Sequence, residues 1–185
     1  KSGILSLLLK HQFLQIRPVK LNLQLLWNSL NSLMKTFKNI VYWSLIVIAL
    51  IQFIPVDRTN KPVDQKVNFV SVVNTPPNVK SILKNACYDC HSNETVYPDY
   101  AYVAPISWSI KNHISEGREH LNFSEWGNFN QDLKKSMLQN SVRTIKDYTM
   151  PSPGYIAQHP EANLTSAERI LLVNYFESIL KSGRY

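Results

Sequence analysis

The two cysteines of this 185-residue chain lie three positions apart, in the stretch NACYDCHSNE at residues 85–94. A histidine follows the second cysteine directly, so Cys87, Cys90 and His91 form a C-x-x-C-H pattern. Three kinds of chemistry use such side chains at this spacing: thiol–disulfide exchange, zinc binding and covalent attachment of haem. A disulfide-rich secreted scaffold is excluded because the chain has too few cysteines.

The three interpretations make different demands on the rest of the chain. A thioredoxin-like cysteine pair belongs beside a βαβ pattern, whereas a helical pattern leads into Cys87. A structural zinc site needs four protein ligands, and the remaining candidates are scattered: His113, His120 and His159. Haem attachment explains all three residues, because each thiol can add to one vinyl group and the imidazole then lies under the iron. We therefore predict one covalently attached haem c per chain, with His91 as an iron ligand.

Helical periodicity dominates the chain from residue 78 onward. The first predicted helix leads into Cys87 with the apolar stripe Val79, Ile82, Leu83 and Ala86. The second begins at Pro105 and is capped at Gly117, with the stripe Ile106, Ile110 and Ile114. The third covers residues 131–146, with inward-facing Leu133, Met137, Leu138, Val142 and Ile145.

The last helix has the clearest beginning. Thr165 and Glu168 form a capping box, and Leu164 precedes it as a hydrophobic staple. Its predicted buried face consists of Ile170, Leu171, Tyr175, Phe176 and Ile179. Prolines and a glycine predict that residues 149–155 are not helical, and residues 67–73 are predicted as extended coil. The sequence therefore predicts an all-α domain with long loops.

Charge and hydropathy set the N-terminal part of the chain apart. Residues 1–55 contain six basic residues and no acid, whereas residues 56–185 contain 14 basic and 13 acidic residues. A nucleic-acid-binding surface on the folded part is therefore not expected. From Met34, two lysines precede an apolar run from Ile40 to Ile54 that Pro55 stops, as in a secretory signal or an uncleaved signal anchor, of which we favour the anchor. We predict an extension without assigned role (1–33), a membrane anchor (34–55), a linker (56–77) and a haem-binding domain (78–185).

Longer stretches of the sequence resemble a known family. CYDCHSNETVYPDYAYVAPISWSIKNHISEGREHLNFSEW, MPSPGYIAQHPEANLTSAER and the membrane-proximal IQFIPVDRTN are similar to the haem-binding domain family of bacterial envelope proteins. The resemblance covers about residues 34–181. It implies a class I cytochrome c-like fold, in which Met150 matches the distal iron ligand. The long insert between His91 and Met150 leaves room for a histidine instead, and the alternatives are His113, His120, His159 or an open sixth position.

Other residues have two interpretations each. Arg118 is expected either to pair with a haem propionate or to end a helix in solvent, and Met137 is expected in the core. Several aromatic side chains could wall a porphyrin or simply fill the core: Trp108, Trp126, Tyr97, Tyr100, Tyr102 and Tyr155.

The function expected from these residues is electron transfer. The predicted protein is a monohaem c-type cytochrome anchored in the bacterial inner membrane, with its domain in the periplasm and redox proteins as partners. The alternatives are a haem-based ligand-binding or sensing module and a peroxidase-like enzyme, which would need an acid/base group beside an open iron.

Overall fold

The computed structural model describes residues 22–185, and every regular element in that range is a helix. The predicted all-α class is therefore confirmed, whereas predictions for residues 1–21 lie outside the described part. The chain divides into two compact units, one ending at Leu50 and one spanning Ile51–Tyr185.

The N-terminal unit contains one long helix, α1, which covers Leu23–Ile51. None of its residues is buried, and its mean hydropathy is 1.4. At 1.5 Å per residue its 29 residues extend about 43 Å, enough to cross a bilayer. The helix begins before Met34, where the anchor was predicted to begin, because the leucine-rich stretch before Met34 also favours a helix. In length and composition α1 can span a membrane.

The second unit contains seven α-helices and three short 3-10 helices. The α-helices are α2 (Phe69–Val72), α3 (Pro77–Ala86), α4 (Tyr88–His91), α5 (Ile106–His120), α6 (Gln131–Lys146), α7 (Pro153–Gln158) and α8 (Ser166–Ser182). The 3-10 helices cover Asp99–Tyr102, Phe123–Asn128 and Pro160–Ala162. The predicted bounds of α6 and the capping box of α8 are confirmed.

The expectation of extended coil at residues 67–73 is wrong. This segment forms α2, which the Asn68 side chain caps by accepting from the Val70 N–H. Phe69 is fully buried, with ring centroids 5.1 Å from Phe123 and 5.0 Å from Trp126. The physical reason is that a short apolar helix can bury an aromatic ring against a distant segment, which local periodicity does not reveal.

Helices α6 and α8 pack extensively against each other. Their buried faces differ from the predicted ones, since Leu133 and Ile170 are exposed. On α8 the buried face is rotated to Arg169, Leu172, Val173, Phe176 and Ile179. This face follows the i, i+3, i+4, i+7 rule once an arginine is allowed on it.

The prediction that residues 149–155 are not helical is wrong for residues 153–155. Helix α7 begins at Pro153 and includes Gly154 and Tyr155. Proline suits the first helical position, because its missing N–H would have no partner there. This short helix brings Tyr155 towards the C-x-x-C-H turn.

Replacing the fully buried ring of Phe69 tests whether residues 67–73 belong to the folded core. We expect Phe69→Ala to lower the free energy of unfolding by about 3–5 kcal/mol, because it removes buried area and leaves a cavity. The matched control is Val72→Ala on the exposed side of α2, with an expected cost below about 1 kcal/mol. Urea denaturation of the full chain in detergent, followed by near-ultraviolet circular dichroism, measures both. Equal stabilities of the two variants would contradict the placement of Phe69.

Candidate haem site

The cysteines and the histidine lie on a single helical turn. Cys87 is the junction between α3 and α4: its N–H donates to Leu83 O, and its own carbonyl accepts from His91 N at 2.9 Å. Cys90 N lies 3.3 Å from the same carbonyl oxygen. Both thiols are free and half-buried. The turn therefore presents two sulfurs and an imidazole within one short segment, as the spacing predicted.

Burial keeps both thiols protonated. It raises the pKa of Cys87 to about 12, with a further contribution from Cys90, and the pKa of Cys90 to about 11, with a further contribution from Asp89. A cysteine that acts in disulfide exchange needs a lowered pKa. Residues 22–185 also contain no cluster of three or more acidic, histidine or cysteine side chains arranged for a metal ion. Neither the disulfide-exchange nor the zinc interpretation gains support.

The ring of His91 is held by the end of α5. Its Nδ1 lies 2.8 Å from Gly117 O and 3.2 Å from Leu121 O. Both partners are carbonyl oxygens, so Nδ1 must carry the proton and donate it. Burial lowers the pKa of His91, although the two carbonyls oppose this shift. The imidazole is therefore neutral with a lone pair on Nε2, the form in which histidine binds a metal.

Gly117 allows α5 to approach the turn. A Cβ at this position would lie 2.7 Å from the carbonyl oxygen of Cys90, which is closer than real contacts allow. The prediction that Gly117 caps the helix is wrong, because α5 continues to His120. A glycine here is required by the close backbone approach instead, and this approach brings the Gly117 carbonyl within reach of His91.

The two residues between the cysteines also hold the turn in place. The Tyr88 ring stacks on Phe123 at 5.1 Å in the core, and its hydroxyl donates to Asn68 Oδ1 at 3.0 Å. Asp89 points the other way: its Oδ2 accepts from the Tyr155 hydroxyl at 2.7 Å, and its Oδ1 accepts from Val96 N at 3.0 Å. Burial, followed by this carboxylate, raises the pKa of Tyr155. The sequence alone gives no signal for this role of Asp89.

Arg118 makes contacts that neither expectation described. Its Nε donates to Ser92 O at 2.7 Å, and its Nη2 donates to Asn60 Oδ1 at 2.9 Å and to Thr95 Oγ1 at 3.0 Å. These bonds fasten the loop that follows His91 to residue 60. Arg118 is therefore a loop-holding residue rather than a solvated helix end.

The candidate sixth ligands lie in different surroundings. Met150 is 39% exposed on the loop between α6 and α7, and its hydrogen bonds go to Thr144 and Arg169 rather than to the C-x-x-C-H turn. Both ring nitrogens of His159 are engaged, Nε2 with the Tyr100 hydroxyl at 2.7 Å and Nδ1 with Glu161 at 3.0 Å.

The other two histidines lie on α5. The side chain of His113 is 70% exposed, and His120 is exposed at the end of the helix. Met150 is the candidate that the sequence resemblance matches to the distal ligand, and its loop lies between α6 and α7. We retain it as the predicted ligand.

The aromatic side chains named in the sequence analysis lie in three kinds of surroundings. Trp126 is fully buried in the core, whereas Trp108 and Tyr102 are exposed. Tyr155 stacks on His159 at 4.4 Å, and the latter bonds Tyr100, so these two tyrosines belong to a network that reaches Asp89. Met137 is buried in the core, as predicted.

The residues present fit a covalently held haem. The turn offers two thiols and a neutral imidazole with a free Nε2. Three buried polar atoms among residues 22–185 have no hydrogen-bond partner: Tyr97 Oη, Trp126 Nε1 and Arg169 Nε. All three are donors, which carboxylate oxygens such as those of a haem propionate can satisfy. Two thiols, a neutral imidazole and unpaired buried donors together define a helical domain that can bind a haem group.

Residues 46–178, well over half of the chain, match the family model described as the haem-binding domain. The chain belongs to the haem-binding domain family, as its sequence resemblance implied. Comparisons with curated proteins and with solved structures find no match.

Replacing Gly117 tests the close approach between α4 and α5. We expect Gly117→Ala to lower the free energy of unfolding by about 1–3 kcal/mol, because the new methyl group must displace the Cys90 backbone. Its effect opposes helix propensity, which by itself favours alanine over glycine. The matched control is Gly154→Ala, where a Cβ meets nothing within 4 Å. Denaturation and haem content of the full chain are measured for both. A Gly117→Ala protein as stable as the control would contradict the contact.

Proposed function

We propose that this protein is a monohaem c-type cytochrome, with haem held through thioether bonds to Cys87 and Cys90 and with His91 Nε2 as the axial ligand. The observation that carries the proposal is the His91 ring, whose Nδ1–H is committed to two carbonyls of α5 on the same turn as both thiols. This arrangement fixes the tautomer and the ring orientation before a ligand bond forms.

The proposed role of the domain is electron transfer. Haem supplies an iron that takes up and releases one electron. The chain keeps His91 neutral and oriented, and it offers the Met150 thioether as a soft second ligand, which raises the reduction potential. Carbonyl acceptors at Nδ1 make the imidazole a better electron donor. The packing of α3, α4 and α5 limits movement of His91 when the iron gains or loses an electron.

We further propose that α1 anchors the protein in the inner membrane and that the domain faces the periplasm. The support is the length and hydropathy of α1 together with the attachment chemistry, since haem is joined to such cysteine motifs outside the cytoplasm. Redox proteins that dock weakly on the domain are the proposed partners.

Mass and optical spectra of protein made with a haem-maturation system test covalent attachment. We expect the wild type to have the mass of the chain plus one haem and the pyridine haemochrome spectrum of two thioethers. Cys87→Ala or Cys90→Ala removes one thioether and shifts the band to longer wavelength. In the double variant, acidified solvent extracts the haem. His113→Ala, at an exposed position, is the control and keeps the wild-type spectrum. Extractable haem or apo mass in the wild type would refute the proposal.

Replacing Met150 distinguishes electron transfer from ligand sensing. Sensing is the alternative function, and the 39% exposure of Met150 is the observation that favours it. We expect Met150→Leu to lose the far-red band of methionine-ligated ferric haem and to lower the potential by on the order of 100 mV, within the roughly 0.8 V that axial ligands span. Met137→Leu, a volume-conserving change in the core, should alter neither. Rapid binding of carbon monoxide or cyanide by the wild type would instead favour a sensing module or a peroxidase-like enzyme.

A further inference from the structure

Arg169 is a buried cation on the apolar face of α8. It is 7% exposed, and within residues 22–185 it forms no ion pair with an acidic side chain. Burying an arginine without an acid is costly and needs compensation from hydrogen bonds. The contacts of Arg169 therefore show where its charge is used.

Those contacts lie at the turn that carries Met150. Arg169 Nη1 donates to Ile145 O at 2.7 Å and to Met150 O at 3.0 Å. The guanidinium carbon lies 4.2 Å from the centroid of the Tyr148 ring, so the cation also contacts the aromatic face between these two carbonyls. One side chain thus contacts three positions of the segment from residue 145 to residue 150.

The same segment is fastened from the other side by α6. The N–H groups of Thr149 and Met150 both lie close to Thr144 O, at 3.0 and 3.2 Å. Tyr148 adopts a positive φ of 57°, which a non-glycine residue rarely does. The backbone of Met150 is therefore held at both its N–H and its carbonyl, although its side chain is 39% exposed.

The contacts exceed what capping of α6 requires. A cation at a helix C-terminus can interact with the last carbonyls and the helix dipole, and the bond to Ile145 O does this. The bond to Met150 O and the contact with Tyr148 reach residues beyond the helix end at Lys146. A single guanidinium therefore connects α8 to the backbone of the proposed sixth ligand.

We propose that Arg169 is the positioning residue for the sixth iron ligand, holding the Met150 backbone so that the thioether can bind the iron. This inference rests on the proposed function, in which Met150 is that ligand. A neutral thioether competes for iron with stronger ligands from solution. Holding its backbone in advance removes ordering entropy that would otherwise oppose ligation. Arg169 acts through the Met150 carbonyl and does not itself bind the iron.

Titration of the ferric holoprotein with imidazole tests the inference, because imidazole displaces a methionine ligand only when the methionine bond opens. We expect Arg169→Gln to weaken the far-red band and to bind imidazole about tenfold more tightly than the wild type, which corresponds to about 1.4 kcal/mol. The matched control is Arg143→Gln, which removes an exposed arginine whose side chain, within residues 22–185, bonds only Asn140. This control should retain the wild-type band and imidazole affinity. The imidazole affinity of Met150→Leu gives the value expected when the methionine ligand is lost completely.

The outcomes separate the inference from the proposed function. Wild-type imidazole affinity in an Arg169→Gln protein that is less stable to urea would show a purely structural role and overturn the inference alone. A haem-bearing wild type without the far-red band would overturn both Met150 ligation and the inference, while covalent attachment stands. If Arg169→Gln does not fold, Arg169→Lys takes its place: it keeps the charge but cannot reproduce the planar fork. An unchanged affinity in that variant also overturns the inference.

Discussion

The hydrogen bonds from His91 Nδ1 to the carbonyls of Gly117 and Leu121 are the constraint on which the site depends. They join the C-x-x-C-H turn to the end of α5 and determine which ring nitrogen remains able to bind a metal. They also require the two backbones to lie so close that residue 117 has no room for a Cβ beside Cys90. The free ring nitrogen, the close approach of α4 and α5 and the glycine are thus consequences of one contact.

The two residues between the cysteines, Tyr88 and Asp89, also hold the C-x-x-C-H turn in place. A turn that carries two thiols and an imidazole has two intervening side chains with which to attach itself to the domain. Tyr88 enters the aromatic core beside Phe123, and Asp89 binds the hydroxyl of Tyr155 on α7. Core packing thereby fixes one side of the turn, while a polar network fixes the other. Both thiols remain free and half-buried beside these contacts.

The sequence predicted the positions of the helices better than it predicted which side of each helix is buried. C-x-x-C-H spacing, the bounds of α6 and the Thr165 capping box depend on neighbours along the chain, so local rules sufficed. Phe69, Gly117 and Arg169 depend on segments far away in sequence: a short helix against the aromatic core, a backbone against Cys90, and a guanidinium against the Met150 loop. A glycine inside a helical pattern and an arginine at an apolar position of α8 were the available signals for the last two. Their partners could not be read from the sequence, because the contacts exist only after the helices pack.

On the proposed function, His91 and Met150 lie on two sides of the haem, and they differ in how they are held. His91 is fixed at its ring by two direct bonds, whereas Met150 is fixed at its backbone and keeps a 39% exposed side chain. A ring-fixed imidazole gives a constant fifth ligand, so on the proposed function the reduction potential depends mainly on how firmly the thioether stays on the iron. That firmness depends on the segment from residue 145 to residue 150, which α8 reaches through Arg169. Packing of the C-terminal helix, far along the chain from the cysteines, would therefore set the property by which an electron carrier is matched to its partners.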